Sequence, residues 1–89
     1  MLQPDDYADV VVIVRHPHGD VVVPLREWMV QGPGPRPYVS IASARRISTD
    51  VPVPLDDIPA EYHNTPQSRR QQRLGRLPTP WGPPPDEPN

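Results

Sequence analysis

Hydrophobic positions crowd into the first two thirds of the chain. Val10 to Val14 is an unbroken β-branched run, and Val21-Val22-Val23 repeats the theme after the polar segment Arg15-His16-Pro17-His18-Gly19-Asp20. Such side chains favour a pleated surface, and Pro17 and Gly19 punctuate the segment between them, so residues 9–23 are expected to form a β-hairpin. From Pro24 the spacing changes: Leu25, Trp28 and Met29 fall at i, i+3 and i+4, with proline before them and Gly32-Pro33 after. That pattern predicts a two-turn helix over residues 24–31. A helix so short is marginal alone, so its Trp28 face must pack on the strands. The rival reading continues the strand through Val30, and Pro24 argues against it.

Gly32-Pro33-Gly34-Pro35-Arg36-Pro37 is a stiff connector, because proline lacks the amide donor and biases the preceding residue to extended backbone. Residues 38–43 alternate loosely and predict a third strand. Val51-Pro52-Val53-Pro54-Leu55 also alternates, but its prolines restrict it to an edge or a polyproline-type strap over the core, with Val51, Val53 and Leu55 facing in. Thr65-Pro66 opens a second helix, a threonine cap followed by proline at the first helical position, and Gly75 stops it. This helix is nearly all polar, so it either frays or lies on another molecule. Pro78 to Asn89 reads as an extended tail with Trp81 as its one large apolar side chain.

Composition sharpens this division. The 16 prolines and 5 glycines among 89 residues come close to the content at which disorder is the default. Yet residues 63–89 hold only Leu74 and Leu77 of the chain's Leu, Ile and Val, which leaves residues 9–62 rich enough in them for a small core. The expected architecture is therefore an α+β, small β-rich module over residues 1–62, a hairpin with one or two further strands and one short helix. Residues 63–89 follow as an arginine-rich short helix and a proline-rich extended arm. With no cysteine there is no disulfide or thiolate metal site to support the core. Oligomerisation or docking on a larger partner is the usual substitute in a module of this size. The longest apolar run, Val10 to Val14, is far short of the roughly 18–20 residues of a membrane span. The N-terminus lacks the basic start and apolar stretch of a secretory signal, so the expected location is cytoplasmic or, for a phage protein, the virion.

Three groups of residues are candidates for chemistry or recognition. His16, His18 and Asp20 form an H-x-H-x-D spacing, and alternate residues of an extended segment point the same way, which can offer two imidazoles and a carboxylate to one metal ion. The spacing resembles part of the H-x-H-x-D-H motif of metallo-β-lactamase-like hydrolases, with Val21 where that motif has its final histidine. The stretch Val11 to His16 also resembles the strand and R-H start of the histidine phosphatases, which would make His16 a phosphoryl nucleophile; the glycine expected after it is replaced by Pro17. An ordinary polar turn is the plainer reading of these residues, and no metal or other cofactor is expected.

Arg69, Arg70, Arg73 and Arg76 put four positive charges within eight residues, and on a continuous helix Arg69, Arg73 and Arg76 share one face. Such a face can run along carboxylates or phosphates, or simply be solvated. Nine basic residues, all arginine, against eleven acidic ones leave the chain slightly acidic, and the segment has no aromatic residue for base stacking. A protein partner is thus favoured over nucleic acid, and Asp50, Asp56, Asp57 and Glu61 are acids that can pair with the arginines within the chain. Trp28 and Trp81 are natural anchors. Trp81 either folds back over Trp28 or binds outward with the proline segments, which lose little entropy on docking. The function expected is non-enzymatic: a structural or interaction subunit that docks on a larger protein assembly, such as a phage virion, or on copies of itself. The binding residues would be Arg69, Arg70, Arg73, Arg76, Trp81 and Trp28. The alternatives are an antitoxin-like regulator or small nucleic-acid accessory protein using the arginine helix, and a metal-dependent hydrolase using His16, His18 and Asp20.

Overall fold

The computed structural model describes residues 2–85; the last four positions of the expected tail lie outside them. Four antiparallel strands form one sheet in the order β2-β1-β3-β4, with β1 at Val10–His16, β2 at Gly19–Pro24, β3 at Ser40–Arg46 and β4 at Pro52–Val53. Helix α1 spans Leu25–Gln31 and α2 spans Pro66–Arg73, with short 3-10 turns at Pro4–Asp9, Leu55–Asp57 and Ala60–Tyr62. This is the α+β module expected, and among the described residues no helix is long and apolar enough to cross a membrane.

The hairpin forms where the valine runs place it. His16 pairs with Gly19 across the two-residue loop Pro17-His18, and Gly19 adopts φ 126, open to glycine but strained for other residues. Strand parity then sorts the side chains: Val10, Val12 and Val14 are fully buried, while Val11 and Ile13 lie on the opposite, half-open face. Pro24 ends β2 and caps α1 rather than opening its first turn, with ψ 137 at Pro24. The helix buries Leu25 and Trp28 against the sheet, as the i, i+3 spacing requires.

The third strand runs later than residues 38–43. It includes Arg45 and Arg46, which the open face and the sheet end tolerate: Arg45 pairs with Asp50, and Arg46 lies 3.8 Å from both Asp6 and Asp9. The proline strap is an edge strand of only two residues, which buries Val53 and packs Leu55. Val51 departs from the expected inward alternation and stays half-exposed beside the turn at Asp50, whose φ is 55. The core consists of Leu2, Val10, Val12, Val14, Leu25, Trp28, Val39, Ile41, Ala44, Val53 and Ile58, all on one face of the sheet or the segments that cover it.

Candidate functional site

The hairpin tip does not gather its histidines and carboxylate. His16 lies on the face of the buried valines, whereas Asp20 pairs with Arg15 and so belongs to the opposite face. The period-two argument holds along one straight strand; the reversal at Pro17-His18 places i and i+4 on opposite faces of the hairpin. The His16 Nδ1 accepts a 2.8 Å hydrogen bond from Arg36 Nη1, which turns that nitrogen to a cationic side chain. Among the described residues, no three His, Cys, Asp or Glu side chains converge as a metal site.

The second helix begins as its sequence dictates. Thr65 Oγ1 accepts from the Ser68 amide at 3.1 Å, and Ser68 Oγ accepts from the Thr65 amide at 2.9 Å, a reciprocal capping box. Thr65→Ala is expected to cost about 1 kcal/mol, read in thermal unfolding as a midpoint about 4–8 °C lower. At the other end Gly75, with φ 75, lets its own amide bond the Gln72 carbonyl and the Arg76 amide bond the Gln71 carbonyl. These paired bonds are the Schellman closure, which satisfies carbonyls the helix would otherwise leave open.

That closure separates the four arginines. The helix ends before Arg76, so Arg69, Arg73 and Arg76 do not form one continuous helical face. Arg69 is buried at 3% exposure; its Nη1 donates to the Asn64 carbonyl, and its guanidinium carbon lies 5.5 Å from the centre of the Tyr38 ring. Arg70, Arg73 and Arg76 remain outside and, with Pro66, Gln67, Gln71 and Leu74, line one open groove of about 460 Å³. Arg73 also donates to the Pro85 carbonyl. Among the described residues neither Arg70 nor Arg76 pairs with a carboxylate, and Asp50 turns to Arg45 instead. Leu74 sits amid these charges with 54% of its surface exposed.

Behind this ridge lies a joint that local sequence patterns do not reveal. Asn64 is buried with φ 53, and its Nδ2 donates to the Pro37 carbonyl at 2.9 Å and the Val39 carbonyl at 2.6 Å. The His63 carbonyl accepts from the Ile41 amide, and its Nε2–H is shared between the Leu55 and Ile58 carbonyls. Residues 63 and 64 therefore tie the root of α2 to the entrance of β3 and to the turn beneath it. The one local signal is the Asn-Thr-Pro order, in which asparagine suits a left-handed residue just before a cap.

Trp81 folds back rather than projecting. Its Nε1–H donates to the Met29 carbonyl at 3.0 Å, and its ring meets Trp28 and Tyr62 edge-on with centroids at 5.4 and 5.7 Å. Trp28 in turn donates to the Tyr62 carbonyl. The Trp81 ring lies so close over Gly32 that a Cβ there would be 2.6 Å from ring carbon Cδ2. Both tryptophans are thus engaged inside the chain, and of the residues expected to bind a partner Arg70, Arg73 and Arg76 are the exposed ones. No protein-family model, curated protein or solved structure matches this chain.

Proposed function

We propose that this protein is an interaction module of a larger protein assembly, docking on an acidic protein surface through Arg70, Arg73 and Arg76. The observation that carries this reading is the separation of the four arginines: Arg69 is buried, while the other three are exposed around Leu74. Guanidinium groups offer forked donors that match carboxylates, and a half-open leucine adds an apolar contact at the centre. The ridge is held by the capping box, the Schellman closure and the Asn64 joint, so little conformational entropy is lost when it docks. Proline and Trp81 act in this reading as the strap that fixes the ridge rather than as the contact itself.

Capture from nuclease-treated extract of the source cells tests the proposal. The intact chain should retain a discrete protein partner, and Arg70→Glu/Arg76→Glu should reduce that retention at least about tenfold, since like charges then face each other. Undiminished retention by the double variant contradicts the reading. Retention that disappears on nuclease treatment contradicts it too and favours nucleic acid, whose binding to these arginines would also weaken steeply with salt.

A further inference from the structure

The two edges of the sheet are built differently. At one edge β4 has two residues, Pro52–Val53, followed by Pro54, and both shortness and proline are devices that discourage pairing with another chain. At the other edge β2 is six residues long, Gly19–Pro24, and its interior carries neither proline nor lysine. Val21 is 44% exposed and Val22 60% exposed. Among the described residues no strand pairs with the outer edge of β2.

The hairpin geometry shows which backbone groups that edge offers. Across a two-residue loop, His16 and Gly19 must be a hydrogen-bonded pair, so Val21 and Val23 also direct their backbone groups to β1. Asp20, Val22 and Pro24 then direct theirs away from the sheet, and Asp20 and Val22 each present one amide and one carbonyl.

We infer that β2 pairs antiparallel with β2 of a second copy of this chain, about a two-fold axis at Val21. Three registers can be compared by their chemistry. A two-fold at Asp20 sets the two Asp20 carboxylates opposite each other, which is repulsive. One at Val22 sets Asp20 opposite Pro24, which has no amide to donate. The two-fold at Val21 sets Asp20 opposite Val22 of the other copy twice over, so all four amides and carbonyls find partners. It also stacks Val21 on its twin and continues the row Ile41, Val14, Val21 across the axis on the core face. The contact is isologous and closes at two copies, because the other edge of each sheet is blunted. The four-stranded sheet becomes one of eight strands, and a core with no disulfide gains support from its neighbour.

Sedimentation of the purified full chain from micromolar to millimolar concentration, with amide hydrogen exchange, tests this. The intact chain should reach the mass of two chains, with the Asp20 and Val22 amides protected in the dimer and exchanging freely on dilution. Val22→Pro removes an amide that the chain itself does not use, so it should keep the native circular dichroism spectrum and sediment as one chain. Val21→Lys, which leaves every backbone donor in place but sets two like charges directly opposite each other at the two-fold, should also sediment as one chain. A chain that stays monomeric at millimolar concentration overturns the inference, as does an open-ended series of larger species. Dimers that survive both substitutions, or Asp20 and Val22 amides unprotected in the dimer, overturn it equally.

Discussion

Trp81→Ala is expected to lower the stability of the whole module by about 3 kcal/mol, seen as an unfolding midpoint about 12–24 °C lower. Trp81 is only partly buried, so the effect falls at the lower end of the range for large aromatic truncations. It removes the bond to the Met29 carbonyl, two edge-on ring contacts and the cover over Gly32 at once. Truncation after Leu77 should have at least the same effect. Gly32→Ala approaches the joint from its other side: the residue has φ 62 and ψ −156, a region nearly restricted to glycine, and its new methyl would collide with the ring. Because both changes open the same contact, Gly32→Ala/Trp81→Ala should cost clearly less than the two single losses added together. A truncated chain that unfolds at the intact chain's temperature would contradict this role for the strap.

Asn64→Asp should be of similar size, about 3 kcal/mol, although the side chain changes by a single heavy atom. The amide nitrogen of Asn64 donates to two carbonyls, and a carboxylate would set oxygen against oxygen at both places while burying a charge. Among the described residues every buried side-chain polar atom has a partner, so the loss falls on a site with no spare donor. Asn64→Gly keeps the left-handed backbone at φ 53 and gives up only the two bonds, and should cost less than Asn64→Asp. Thermal unfolding of both variants checks the order. Equal midpoints for Asn64→Asp and the intact chain would show that these carbonyls do not depend on the amide.

The sequence made the local elements readable and left the long-range joints hidden. The valine runs, Pro24 and the Leu25, Trp28, Met29 spacing placed β1, β2 and α1, because each rests on neighbours only a few residues apart. Thr65, Pro66 and Gly75 placed α2 for the same reason. The third strand runs on to Arg46 through its pairing with Val10 and Val11, where Arg46 also nears Asp6 and Asp9, partners more than thirty residues earlier that no local window contains. The return of Trp81 onto Met29 and Gly32 spans about fifty residues and uses a carbonyl and a missing side chain, neither of which leaves a hydrophobic pattern. Arg69 was hidden differently. A polar helix reads as exposed on every side, yet the face that α2 buries is polar, Ser68 and Arg69, and is satisfied by backbone carbonyls and an aromatic ring. At the hairpin tip the H-x-H-x-D spacing is legible in the sequence, and so is the polar turn at Pro17-His18 that divides it between the two faces of the hairpin.

The central claim is that residues 63–85 close on the core through Trp81 and so hold Arg70, Arg73 and Arg76 outward on a fixed ridge. Proton NMR of Gly32 and of the Trp81 indole tests it most directly, because the ring lies over the Gly32 α-carbon and the indole N–H is bonded to Met29. The account predicts strong nuclear Overhauser contacts between the Trp81 ring and the Gly32 α-protons, an upfield ring-current shift of those protons that vanishes in Trp81→Ala, and slow exchange of the indole proton. Gly32 α-protons at random-coil shifts, with a Trp81 indole exchanging as freely as in a short peptide, would contradict it.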